Sequence, residues 1–251
     1  MLDTPDSHDL RYSRHLALPE FGTEGQTRVA AARVLLVGLG GLGSPAAMYL
    51  AAAGIGTLLL NDFDSVDLSN LQRQLLHRNV DVGRAKTESA AETIAAINPE
   101  CQVERLAQRL SDAELQTVIA SADVVLDGSD NFGTRFAVNA ACVRVGIPLV
   151  SGAAIRFEGQ LTTFIPDDPA SPCYACLYQE ADEELENCRS NGVLAPLTGV
   201  IGSMMAVEAL KLITGIGDTL AGRLLQYDAR HATIRTTYLK RDPACPVCSK
   251  R

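Results

Sequence analysis

Apolar positions along this chain cluster in short unbroken runs, with longer, more mixed stretches between them. Arg33 to Gly38 reads RVLLVG, Thr57 to Leu60 TLLL, and Val124 to Leu126 VVL. Runs of this length without alternation mark strands covered on both faces, as in a parallel sheet. Between the first two lies GLGGLGSPAAMYLAAAG, whose alanine-rich body favours helix; Gly54 is placed to stop it and Gly56 lies in the turn that follows. The alternation continues. Helices are expected over Lys86–Ile97, Ala113–Ala120 and Thr134–Val145, the first stopped by Asn98-Pro99. Strands are expected over Gln102–Leu106 and Pro148–Ser151. A long helix from about Gly199 to Thr214 precedes strands near Arg223–Tyr227 and Thr233–Leu239. Strand, glycine turn, helix, strand is the opening unit of a doubly wound fold. The expected class is α/β, Rossmann-like, with a mainly parallel sheet and a C-terminal antiparallel extension. No repeat or low-complexity linker divides the chain, so one domain over 1–251 is expected. Its parts are an N-terminal helical segment (1–30), a nucleotide-binding core (31–165) and a C-terminal part (166–251).

The glycines carry the first chemistry. Gly38, Gly40, Gly41 and Gly43 sit where a strand turns into a helix. Glycine there permits a tight turn and close approach of backbone N–H groups to phosphates, and the helix N-terminus adds a favourable dipole. Asp62 follows Gly43 by 19 residues, at the end of the next strand, where a carboxylate can accept ribose hydroxyls. This pattern suits NAD and ATP equally.

Cations decide between them. Ser69-Asn70-Leu71-Gln72-Arg73-Gln74 and then Lys86 follow the second strand, and Asp130-Asn131 follows a later one. Singly, Arg73 and Lys86 are ordinary surface charges and Asp130-Asn131 an ordinary helix cap. Beside a phosphate loop they are the groups a triphosphate needs: two cations, and a carboxylate at the strand edge able to hold Mg²⁺ through oxygen. A nicotinamide-dependent oxidoreductase would leave them without a task and would need a catalytic His, Lys or Tyr constellation that the C-terminal half does not offer. A non-catalytic scaffold would be expected to have lost some of these positions, and all are filled.

Composition narrows the setting. The 251 residues are 47% hydrophobic and 21% charged with a net charge of −8, which supplies no basic footprint for nucleic acid. No apolar run approaching a membrane span is evident, and MLDTPDSHDLRYSRH has no apolar signal core, so a cytoplasmic protein is expected. Seven cysteines in such a setting are better spent on metal than on disulfides. Cys173-x-x-Cys176 and Cys245-x-x-Cys248 are two paired knuckles, the ligand set of a closed, structural four-cysteine Zn²⁺ site that would pin the C-terminal tail. A redox role is the alternative for such pairs. Cys188, beside Arg189 in a polar stretch, is a candidate sulfur-transfer or thioester cysteine. Cys101 and Cys142 are expected to be packing residues. The four histidines show no ligand spacing and receive no role.

The segments RYSRH, GLGGLGSPAA, DFDSVDLSNLQRQ, GRAKTESA, DGSDN and SGAAIRFEGQ, with the cysteine pairs, resemble the MoeB/ThiF/HesA family from about Leu10 to Cys248. These are bacterial relatives of ubiquitin-activating enzymes. The resemblance implies an ATP-dependent adenylyltransferase that activates the C-terminal Gly-Gly carboxylate of a ubiquitin-like sulfur-carrier protein. It implies that Gly41, Asp62 and Asp64 hold the nucleotide with Ser69 and Gln74. It also implies that Asn70, Arg73 and Lys86 act on the phosphates and that Asp130, with Asn131, serves Mg²⁺. Arg14, in RYSRH, resembles an arginine that reaches the partner subunit's site in a homodimer. A sulfurtransferase or cysteine desulfurase is a further implied partner. SGAAIRFEGQ and VLAPLTGVIGS resemble the molybdopterin branch more closely, while Asn187-Cys188-Arg189-Ser190 resembles the thiamine branch; the first is preferred.

Overall fold

The computed structural model describes residues 7–178 and 192–249. Among them, eight strands form one sheet in the order β3-β2-β1-β4-β5-β6-β7-β8. The first five in that order are parallel: β1 (Arg33–Val37), β2 (Thr57–Asn61), β3 (Gln102–Leu106), β4 (Val124–Asp127) and β5 (Leu149–Ile155). Three antiparallel strands extend it: β6 (Glu158–Phe164), β7 (Arg223–Asp228) and β8 (Thr233–Tyr238). The order reverses between β1 and β4, the switch point where ligands of such sheets bind.

The unbroken apolar runs are explained by two covered faces. Val34, Leu36, Leu58, Leu60, Val124 and Leu126 pack with α3 (Gly43–Ala53), α4 (Lys86–Ile97) and α8 (Ala195–Thr214). Their neighbours Leu35, Val37, Leu59 and Val125 face the other way, toward α5 (Asp112–Ala120) and α6 (Phe132–Val145). Strand geometry sends successive side chains to opposite faces, so both parities must be apolar. Gly54 caps α3 in the left-handed conformation, at φ 91°. Helices α1 (Ser7–Leu16) and α2 (Gly22–Ala31) precede β1, and α7 (Tyr174–Leu177) is a single turn.

Several sequence expectations need correction. The strand expected over Pro148–Ser151 runs on to Ile155 and folds back on β6, which was not foreseen. Gly152 and Gly159 obscure this hairpin, because glycine is a poor strand former; they are there because α8 crosses too closely for a side chain. A Cβ on Gly152 would meet Met205 Sδ at 2.5 Å, and one on Gly159 would meet Ile201 at 2.5 Å. Helix α8 begins at Ala195 rather than Gly199, with proline in its first turn. At 20 residues and mean hydropathy 1.4 it is also long and apolar enough to cross a membrane, contrary to the expectation of no such run. Leu197, Ile201, Met205 and Ala209 are buried in the core against the sheet, which accounts for its apolarity.

Candidate active site and metal centre

The loop from Gly38 to Gly43 leaves the C-terminal end of β1 and is gripped from three sides. Gly38 has φ 86°, and a Cβ there would lie 3.2 Å from the Gly128 carbonyl carbon and the Ser129 nitrogen, so the loops after β1 and β4 touch. Gly43 cannot be replaced, since its Cβ would fall 2.0 Å from the Gly38 oxygen. From the α8 side, Thr198 would lie 3.0 Å from a Cβ on Gly41, and Gly202 lets α8 approach the Leu42 carbonyl. Gly38, Gly40 and Gly41 remain partly open to solvent. A Cβ on Gly40 would meet Gln74 Nε2 at 3.5 Å.

Asp62, expected to face a ribose, is buried at the end of β2 and braces the loop. Its Oδ2 accepts from the Leu39 N–H at 2.8 Å and its Oδ1 from the Asp64 N–H at 2.9 Å. Lys86 opens α4, and its buried ammonium lies 3.0 Å from Asp64 Oδ2 and 3.6 Å from Asp62 Oδ2. The Lys86–Asp64 pair sits at the mouth of the loop, with Asp64 about half exposed.

Between β2 and α4 the chain turns through a short 3₁₀ segment, Leu68–Asn70, capped by Asp67. Asn70 accepts the Asp67 N–H through Oδ1 at 3.2 Å, so what it offers a phosphate is its amide N–H groups. Ser69 gives its hydroxyl to Asp67, and Arg73 is anchored by one bond to the Ser69 carbonyl at 3.1 Å. Gln74 is buried with its Oε1 unpartnered among the described residues. Beyond β4, Asp130 is exposed, while Asn131 caps α6 by accepting the Thr134 N–H at 2.9 Å. The cap lengthens α6 to Phe132, ahead of the expected start at Thr134. Glycine loop, Asp62, Asp64, Gln74 and Lys86 thus form one contact set. Asn70 and Arg73 stand on the same β2–α4 connection as Gln74, and their hydrogen bonds among the described residues stay within that segment. Asp130 lies exposed on the loop after β4, which touches the glycine loop through Gly128 and Gly38.

Arg14 is not part of this set. It is exposed on α1, and α1 sits at the far end of α3: Tyr12 would lie 2.7 Å from a Cβ on Gly54. The loop is at the other end of that 11-residue helix, about 15 Å away along its axis.

His77, which received no role in the sequence, belongs to the site. Its ring is buried, with Nε2 3.1 Å from the Leu39 carbonyl oxygen and Nδ1 2.9 Å from Ser89 Oγ. Burial, with the nearby Lys86 charge contributing, lowers its pKa below the usual 6.5. Arg135 was likewise missed; it is buried and donates to the Ser129 carbonyl through Nε and Nη2. Neither has a spacing signal, since both act through contacts made by chain reversal.

Cys173, Cys176, Cys245 and Cys248 converge, all four Sγ atoms lying within 4.8 Å of one another. Three of the edges are 3.5, 3.7 and 4.0 Å. A tetrahedral zinc with Zn–S of about 2.3 Å requires edges of about 3.8 Å, so the residues present fit that metal. Asn139 Nδ2 on α6 approaches Cys173 Sγ at 3.6 Å, and Arg241 reaches both Cys248 O within the tail and the Pro169 carbonyl outside it. Cys101 and Cys142 are buried packing residues; burial pushes the Cys101 thiol up to about 11 and raises Cys142 as well. Cys188 lies outside the described residues.

A model of the ThiF family matches residues 12–247. The chain belongs to the ThiF family. Among relatives of this ThiF-family chain, SAMP-activating enzyme E1 of Haloferax volcanii is 48% identical over 96% of the chain and 88% of its own length. Molybdopterin-synthase adenylyltransferase of Escherichia coli is 47% identical over the full length of both proteins. The sulfur carrier protein ThiS adenylyltransferase of the same organism is 44% identical over 97% of this chain and 96% of its own. Among solved structures, Escherichia coli MccB with ATP superposes with a TM-score of 0.84 at 26% identity, covering 97% of this chain and 75% of that one.

Proposed function

We propose that this protein adenylates the C-terminal glycine carboxylate of a ubiquitin-like sulfur-carrier protein with ATP, releasing pyrophosphate and leaving an acyl-adenylate for later sulfur transfer. One observation carries the reading: the glycine loop, Asp62 and Lys86 close into a single contact set on a chain that matches an adenylyltransferase along its whole length. The molybdopterin-synthase small subunit is the preferred carrier. The 44% likeness to the ThiS adenylyltransferase supports a thiamine-pathway carrier as the second reading.

In the proposed mechanism the open N–H groups of Gly40 and Gly41 receive phosphate oxygens, with the dipole of α3 behind them. Lys86 exchanges Asp64 for phosphate, and Arg73 and Asn70 N–H groups take up charge on the departing pyrophosphate. Asp130 would hold Mg²⁺, which neutralises phosphate charge. No general base is needed, because a terminal carboxylate with a pKa of about 3.5 is already ionised at neutral pH. Its oxygen attacks the α-phosphorus, and the bond to the β,γ-pyrophosphate breaks. What the residues supply is alignment and fixed positive charge.

Arg14 lies too far from its own loop to act there, which supports a homodimer in which each protomer's Arg14 completes the other's site. Cys173, Cys176, Cys245 and Cys248 would hold zinc structurally. The whole chain would act as one domain in the cytoplasm, with a sulfurtransferase or cysteine desulfurase consuming the adenylate. Incubating protein, MgATP and carrier, then weighing the carrier by mass spectrometry, tests the reaction; an added AMP on the carrier supports it, and an unmodified carrier with hydrolysed ATP contradicts it.

A further inference from the structure

The peptide units on either side of Leu39 are held from opposite directions. The Leu39 N–H is taken by Asp62 Oδ2 at 2.8 Å, and the Leu39 carbonyl faces His77 Nε2 at 3.1 Å. Ser44 Oγ, in the first turn of α3, adds a longer bond to the same carbonyl at 3.4 Å. A carbonyl oxygen only accepts, so Nε2 carries the proton, while Nδ1 on the other side of the ring lies 2.9 Å from Ser89 Oγ. Ser89 is fully buried and stands three residues after Lys86 on α4, so both lie on the same face of that helix. Two routes therefore run from α4 to the glycine loop: Lys86 through Asp62 to the Leu39 N–H, and Ser89 through His77 to the Leu39 carbonyl.

We propose that His77 is a positioning residue for nucleotide binding, fixing the direction in which the Gly40 N–H points. In a planar trans peptide the carbonyl of Leu39 and the N–H of Gly40 point opposite ways. Drawing that carbonyl into the core toward His77 turns the Gly40 N–H outward, to the partly open side of the loop. Glycine at 40 leaves φ on one side of this peptide with little steric preference of its own, so an external hold on the Leu39 carbonyl matters. The hold also persists when Lys86 leaves Asp64 for phosphate, because it uses neither residue. The inference rests on the loop binding a nucleotide phosphate.

The test is calorimetric titration of the full chain with MgATP, which separates affinity from the fraction of protein competent to bind. His77→Leu keeps the bulk and removes the donor; His77→Gln returns an N–H to nearly the Nε2 position. Ser89→Ala leaves the ring in the core but frees its orientation, and serves if the leucine variant does not fold. The leucine variant is expected to weaken ATP binding about fivefold, the worth of one ordinary hydrogen bond. The glutamine variant should restore most of it, and the alanine variant should fall between. A merely structural His77 would lower melting temperature or binding stoichiometry at unchanged Kd, and that result would overturn the inference. So would a glutamine variant as weak as the leucine one. Wild-type protein that binds no ATP would instead remove the nucleotide reading, and this inference with it.

Discussion

Lys86 Nζ lies 3.0 Å from Asp64 Oδ2 in a site where the lysine is buried and the aspartate half exposed. The ammonium is therefore held ready by a partner that solvent can compensate once it lets go. A cation kept at a phosphate site and desolvated on arrival of substrate acts strongly on the transition state. Lys86→Met should lower the rate of adenylate formation roughly 10²–10³-fold while changing the carrier's apparent affinity little. Steady-state kinetics with ATP and carrier varied separately checks this. An unchanged kcat would remove Lys86 from the chemistry.

Arg14 on α1 and Arg73 on the β2–α4 connection lie at opposite ends of α3. If each site takes Arg73 from one protomer and Arg14 from its partner, Arg14→Ala and Arg73→Ala proteins should each be nearly inactive alone. Mixed and allowed to exchange, about half the dimers become hybrid and about one quarter of all sites regain both arginines. Activity recovering toward that fraction supports sharing between subunits, and no recovery despite exchange contradicts it.

The four-cysteine cluster joins α7 to the tail across 72 residues of sequence between Cys173 and Cys245, so a metal held there should act on stability. For a chain of this size each kcal/mol lost lowers Tm by about 2–4 °C. Chelation or Cys245→Ser should lower Tm by roughly 10 °C, with activity of the still-folded fraction retained. Lost activity at unchanged Tm would make the metal part of the chemistry instead.

His77 gives the protein a pH signature. Its folded pKa lies below the ordinary 6.5, chiefly through burial, with Lys86 opposing protonation and Asp62 and Asp81 favouring it. Between the folded and unfolded values the unfolded chain binds more protons, so stability rises with pH there. The His77 contribution is complete above about pH 6.5 and is lost as pH falls toward the folded value, with a slope of at most about 1.4 kcal/mol per pH unit. Asp81 does not confuse this window. Burial alone would raise it, but hydrogen bonds from the Arg78 backbone and side chain override that and hold it at about 2. Denaturant unfolding between pH 5 and 8 should show the slope in the wild type and its loss in His77→Gln; equal slopes would contradict the assignment.

Much of this architecture is legible in the chain because the relevant signals are local. A run such as RVLLV needs apolar residues at both parities once both sheet faces are covered, and Gly54 is visible as a helix stop because its left-handed backbone tolerates little else. The strand edges carry Gly38, Asp62 and Asp130 in positions the fold itself defines. What escaped notice depends on distant partners. Gly152 and Gly159 weaken a strand pattern for the sake of α8, whose own apolarity suits a membrane until Ile201 and Met205 are seen against the sheet. His77 meets Leu39 across 38 residues of sequence, and no periodicity announces such a contact.

ATP–pyrophosphate exchange in the presence of Mg²⁺ and purified ubiquitin-like carriers ending in Gly-Gly probes the reaction at its reversible step. Exchange that depends on the molybdopterin-synthase small subunit, and disappears when its terminal glycine is removed, is the predicted result. Exchange with a thiamine-pathway carrier instead would keep the chemistry and change the branch. Zinc-loaded, folded protein that binds ATP yet exchanges no pyrophosphate with any such carrier would contradict adenylation of a carrier carboxylate.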